Sequence, residues 1–169
     1  MAVDFNKNQE QWLHIHEIKE KQKLRDQLHI QVKNLPFVAF LELTKTLLDK
    51  VGIQPTHYNR ENPIGTMDLR GELHLHGLIK EDMYIALFHE PVNERQIMED
   101  ILFLLEEEKR KGIIITTQVI AKEAESLANL ANGQIQLVDG LKFVDLLIRH
   151  GIGFAEKQTT VYVLDEVEL

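Results

Sequence analysis

The sequence predicts an α/β fold: a central sheet flanked by helices, with one further helix on the N-terminal side. Three patterns carry that reading. From Gly112 to Phe154 a buried strand runs into a helix, followed by a second strand and a second helix. From Met67 to His76 apolar and polar residues alternate with the period of a strand. From Met83 to Phe88 every residue is apolar, which suits a strand covered on both faces in the middle of a sheet.

The elements follow in order. The stretch through Asn34 is mostly charged or polar, with Trp12, Leu13, Ile15, Ile18, Leu24 and Leu28 in roughly helical steps. It reads as a helical extension over 1–34, packed on the domain at 35–169 or on a second subunit. Its segment KEKQKLR, residues 19 to 25, is the most basic in the chain and reads as a solvated face. Phe37, Phe40, Leu41, Thr44, Leu47, Leu48 and Val51 mark a helix that Gly52 stops. Ile53 to Asn59, interrupted by Pro55, suits an edge strand. In the alternating strand, Met67, Leu69, Gly71, Leu73 and Leu75 share one face. Asp68, Arg70, Glu72, His74 and His76 share the other. Lys80 falls in the turn before the apolar strand. Asn93 and Gln96 form a capping box ahead of a helix carrying Ile97, Met98, Ile101, Leu104 and Leu105, with Gly112 as its stop. Residues 159–167 read as a final strand, and no repeat or low-complexity linker divides the chain.

Composition narrows the class. A chain of 169 residues with 44% hydrophobic content buries one core and is short for two ordinary domains. The absence of cysteine excludes a disulfide framework and a thiolate metal site. No apolar run is long enough to span a membrane, and the polar N-terminus is unlike a signal peptide, so a cytoplasmic protein is expected. A net charge of −8 opposes a generally basic nucleic-acid binder, because Lys and Arg on phosphates dominate such affinity. Any DNA contact has to come from a local patch.

Two motifs point to a family. One is ITT (Ile115 to Thr117) ahead of a helix with Lys122, Glu123 and Ala124, and the other is VDG (Val138 to Gly140) ahead of LLIRHGIGF. With this spacing, residues 35 to 154 resemble the Mrr-type restriction endonuclease domain. The resemblance implies a restriction endonuclease-like fold, with a central mixed sheet flanked by helices, and metal-dependent cleavage of DNA. It also implies a glutamate on the first domain helix, an aspartate after a glycine-containing turn, and Gln-x-Lys or Glu-x-Lys on the next strand. The glutamate carries over to Glu42, ten residues before Gly52, and the aspartate to Asp68 in GTMD. The last pair falls on Ala86 and Phe88. Phosphodiester cleavage requires Mg²⁺ held by oxygen ligands and a cation near the developing charge. Alanine offers no ligand oxygen and phenylalanine no charge. Glu42 and Asp68 are thus expected as a remnant acidic pair, close together at one end of the sheet and holding Mg²⁺ weakly.

Other residues are candidates to replace the missing pair. Glu72 shares the face of Asp68 but lies about 13 Å along the strand. Lys80 reaches back from the turn, and Glu90 follows Phe88 on the same nominal face. His74 and His76, about 6.6 Å apart along one face, converge on Zn²⁺ if Glu72 joins them, or else are plain polar residues of a sheet face. His14 and His16 point to nearly opposite sides of a helix. The expectation is a DNA-associated domain that has lost hydrolysis, forming a homodimer or serving as the inactive partner in a nuclease or defence assembly. The alternatives are an active Mg²⁺-dependent endonuclease with a relocated residue, and a protein-interaction scaffold that never meets DNA.

Overall fold

The computed structural model describes residues 5–58, 66–89, 94–106 and 111–153. Among the described residues, five helices and five strands follow the expected order. They are α1 (Phe5–Lys33), α2 (Phe37–Lys50), β1 (Ile53–Tyr58), β2 (Thr66–Leu75), β3 (Ile79–Phe88), α3 (Glu94–Glu106), β4 (Lys111–Thr116), α4 (Lys122–Asn129), β5 (Ile135–Val138) and α5 (Gly140–Arg149). The strands form one mixed sheet in the order β1-β2-β3-β4-β5. The first two pairings are antiparallel and the last two parallel. The residues expected to add a final strand, 159–167, lie outside the described residues, as does Asn93.

The sheet separates two apolar layers. On one side Phe40, Leu47 and Leu48 of α2, Phe143, Val144 and Leu147 of α5, and Leu28 and Val32 of α1 pack on Leu69, Ile85 and Leu87. On the other, Ile97, Ile101 and Leu104 of α3 and Ala124 and Ala128 of α4 pack on Tyr84, Ala86, Phe88 and Ile114. Strand alternation explains this division, since Ile85 and Leu87 face one layer while Tyr84, Ala86 and Phe88 face the other. The second half of β3 is therefore buried at every residue.

Two local expectations are corrected. Gly112 does not stop α3, which ends at Glu106; it sits in β4, where a Cβ would meet a Leu104 methyl at 2.4 Å. Lys80 does not lie in a turn. The turn is the tight pair His76 (φ 50) and Gly77 (φ 71), a conformation that glycine adopts freely and that matches the twist of a hairpin. That leaves Lys80 within β3, opposite His74.

α1 docks only through its C-terminal third. Arg25 makes a two-pronged ion pair with Asp145 of α5, at 2.7 and 2.8 Å. Further along, His29 donates from Nε2 to the Thr117 carbonyl at 3.2 Å. None of the described helices is long and apolar enough to cross a membrane.

Candidate functional site

Asp68 lies near the start of β2. The antiparallel register sets it opposite Ala86, with Thr66 opposite Phe88. Alternation directs Asp68 toward α3, onto the layer of Tyr84, Ala86 and Phe88. The Tyr84 hydroxyl donates to the Asp68 carboxylate. The Tyr84 ring in turn rests against Phe103, with centroids 5.7 Å apart.

Helix α3 adds a carboxylate that sequence reasoning misses. Asp100 stands at i+3 from Ile97 and i−4 from Leu104, so it takes a sheet-facing position on the stripe that otherwise buries Ile97, Ile101 and Leu104. The signal is nonetheless present in the sequence: an acid inside an i, i+3, i+4, i+7 apolar set. Burial pushes the Asp100 carboxyl up to about 7, helped by the charges of Asp68 and Glu99. Burial also raises the Asp68 carboxyl, while the hydrogen bond from Tyr84 pulls it back down. Asp100 therefore keeps its proton to a higher pH than an ordinary aspartate does.

Glu42 and Asp68 start from opposite sides of the sheet. Glu42 is on α2, which packs on the Leu69 and Leu87 side of the sheet, while Asp68 projects to the α3 side. Its carboxylate pairs instead with Lys45 at 2.8 Å. It also borders a groove of about 460 Å³ between α1, α2 and α5, walled by Leu28, Val32, Leu43, Leu147 and Ile152. The cause is geometric, since the apolar side of α2 selects one face of the sheet and strand alternation commits Asp68 to the other.

The other candidates fall elsewhere. Glu72 contacts His74 at 3.2 Å and Lys80 at 3.8 Å, forming a small polar cluster on the hairpin. His76 is held in the turn with φ 50. Glu90 lies outside the described residues. At the far ends of β3 and β4 a buried polar network closes the sheet. His89 donates from Nε2 to the Leu35 carbonyl, its ring stacks on Phe40 at 4.8 Å, and the Thr117 hydroxyl donates to the His89 carbonyl at 2.9 Å.

Mg²⁺ demands near-octahedral oxygen coordination. Around Asp68 the described residues supply Asp100 and the Tyr84 hydroxyl, while Ala86 and Phe88 contribute neither a ligand nor a charge. Among the described residues no group of three or more His, Cys, Asp or Glu is arranged to hold a metal ion. These residues do not fit a hydrolytic Mg²⁺ centre.

The mixed sheet and its flanking helices are those of a restriction endonuclease-like fold. The chain belongs to the restriction endonuclease family Mrr_cat, whose model matches residues 32–147. Among solved structures, the chain is similar to the DNA modification-dependent restriction endonuclease AspBHI. Identity is 18% and the TM-score 0.45, over 79% of this chain and 36% of that one. This chain thus corresponds to well under half of that enzyme. A search of the curated proteins found no match.

Proposed function

We propose that this chain is a DNA-associated domain of the restriction endonuclease fold that has lost hydrolysis. One observation carries the reading: the residue opposite Asp68 is Ala86, fully buried, and the next outward on that face is Phe88, 4% exposed, both sealed under α3 and α4. A metal ligand and a cation are absent from those two positions, and apolar packing fills the space where they would stand. In this reading Asp68 is what remains of the catalytic set. Glu42, the other half of the expected pair, takes no part in chemistry from the opposite side of the sheet. As an inactive module the domain works with a partner, either a nuclease of a defence assembly or a second copy of itself. Light scattering of the purified protein separates a homodimer from a monomer.

The test is incubation of the purified chain with plasmid DNA and Mg²⁺ or Mn²⁺. The expected result is uncut plasmid even at high protein concentration. A second reading, an active endonuclease in which Asp100 has become the partner of Asp68, is favoured by the placement of both residues between α3 and the β2–β3 face, where the charge of Asp68 helps to raise the Asp100 carboxyl. Cleavage that disappears in both Asp68→Ala and Asp100→Asn would establish it and end the first.

A further inference from the structure

The turn that delivers β5 is Asn132-Gly133, and among the asparagines of the chain Asn132 alone precedes a glycine. Both residues are exposed. Both are also left-handed, with φ 50 at Asn132 and φ 85 at Gly133, which asparagine and glycine tolerate better than other residues do. Among the described residues no group receives the Gly133 N–H. A Cβ built on Gly133 would meet nothing within 4 Å, so the glycine is uncrowded. An unbonded amide nitrogen thus stands next in the chain to a side-chain carboxamide, with which it can close a five-membered ring.

The closed turn keeps the two groups apart. A left-handed residue has ψ near about +47°, and that rotation carries the Gly133 nitrogen away from the Asn132 Cβ. Reaction therefore waits for the turn to open. Three bonds at the surface hold it shut: Asn132 N–H donates to the Asn129 carbonyl at 3.3 Å, Gln134 N–H to the Ala131 carbonyl at 3.1 Å, and Gln136 Nε2 to the Gly133 carbonyl at 3.2 Å. Each is weak beside water. Behind them β5 is an edge strand of four residues, paired with β4 alone. Such a unit, with few contacts and exposed backbone bonds, opens locally at little cost in free energy.

We propose that Asn132 is a site of spontaneous modification, where the side-chain amide is converted to aspartate and isoaspartate and the seating of β5 is loosened as a result. The proposal is independent of the DNA-associated reading. In the open turn the Gly133 nitrogen loses its proton to solvent base and attacks the Asn132 Cγ. A C–N bond forms there while the Cγ–Nδ2 bond breaks, and the amide nitrogen leaves as ammonia. Water then opens the cyclic imide at either carbonyl. Attack at Cγ leaves an ordinary aspartate, whereas attack at the main-chain carbonyl routes the backbone through Cβ and leaves isoaspartate. The second product lengthens the main chain by a methylene just before Gly133 and Gln134. The Gln134 carbonyl receives the Gly112 N–H at 2.9 Å, at the start of the β4–β5 ladder. The added length is thus passed to Ile135, which is buried in the layer of Leu104 and Ile114.

The experiment is storage of the folded full chain in mildly alkaline buffer, followed by peptide mapping with mass spectrometry and by melting curves. The expected result is acid in place of amide at Asn132 ahead of every other asparagine, in two isomers of different retention, with a fall in melting temperature that grows with the converted fraction. Asn132→Gly keeps a turn that glycine adopts freely and removes the amide, so its melting temperature should hold through storage. Gln136→Ala takes one bond from the closed turn and should speed conversion by about 2- to 5-fold, the equilibrium value of one weak hydrogen bond. Asn132→Asp adds the charge without the methylene and should melt above the stored, converted chain. A folded chain that keeps the Asn132 amide while the urea-unfolded chain loses it would overturn the inference, because the turn would then be a complete shield. Conversion of Asn129 or Asn34 as fast as Asn132 would overturn it as well. Conversion that leaves the melting temperature unchanged would overturn the link to β5.

Discussion

The β4–α4–β5–α5 half and the β2–β3 pair differ in what their residues are occupied with. In the first, several residues of the two family motifs have a structural task. Thr116 is fully buried and its hydroxyl accepts the Gln118 N–H at 3.1 Å. Thr117 tethers His89 and receives His29. Asp139 caps α5 by accepting the Lys142 N–H at 2.8 Å. Gly140 lets α1, β4 and α5 meet: a Cβ there would lie 2.3 Å from the Thr117 carbonyl oxygen and 2.4 Å from His29 Nε2. In the β2–β3 pair, the positions where chemistry would sit hold Ala86 and Phe88, which serve only packing. The proposal of lost hydrolysis rests on this difference between the two regions.

The strongest attempt to break that contrast is Ala86→Glu combined with Phe88→Lys, which puts a carboxylate and an ammonium back on the face of Asp68. Both would be buried under α3 and α4 without prepared partners, at a cost of about 3–5 kcal/mol. Urea unfolding should show a large loss or no folded state at all. A variant as stable as the original chain would mean that this face still has room for charge, and the contrast would collapse.

On the frame side the largest effect belongs to Gly140→Ala. The added methyl meets two backbone atoms of Thr117 and one side-chain atom of His29, so overpacking should cost about 1–3 kcal/mol. Adding His29→Ala should recover little, because the Thr117 carbonyl still stands in the way. Full recovery in the double variant would show that only the α1 contact, and no part of the strand frame, depends on this glycine. Asp139→Ala removes the cap of α5 and should cost about 1 kcal/mol, read as a fall in melting temperature. An unchanged melting temperature would reduce the VDG motif to its glycine.

How much the sequence discloses follows from the same division. Helix and strand order is readable because period and turn residues are local: Gly52 with φ 86 ends α2, and Gly77 turns the hairpin. The orientation of Asp68 is readable too, since alternation along β2 is local. What fails depends on which face of the sheet each helix covers. The family pattern brings the α2 glutamate, Glu42, to Asp68, but the apolar stripe of α2 sends it to the other layer. Asp100 escapes notice because a stripe is found by its apolar members, and one acid among them looks like a gap. Its meaning appears only when the crossover through α3 lays that stripe over β2 and β3. Gly112 reads as a helix stop from position alone, while its task is to let Leu104 approach β4.

The smallest effect tests whether the acidic pair still strains the fold. Asp100 has a carboxyl raised to about 7 from an ordinary value of 3.8. The folded chain therefore holds that proton more tightly than the unfolded chain does between those two values. Stability should fall as pH rises through that window, with the full cost present above it. Asp100→Asn removes the titration and keeps the shape. Since the group is part-exposed and screened by water, the gain at pH 8 should be modest, about 0.5–1 kcal/mol, and should vanish near pH 4. Urea midpoints at several pH values measure it. An asparagine variant whose pH profile parallels that of the original chain would mean that Asp100 is solvated in both states. Asp68 would then stand alone on its face, and the second, catalytic reading would lose the observation that favours it.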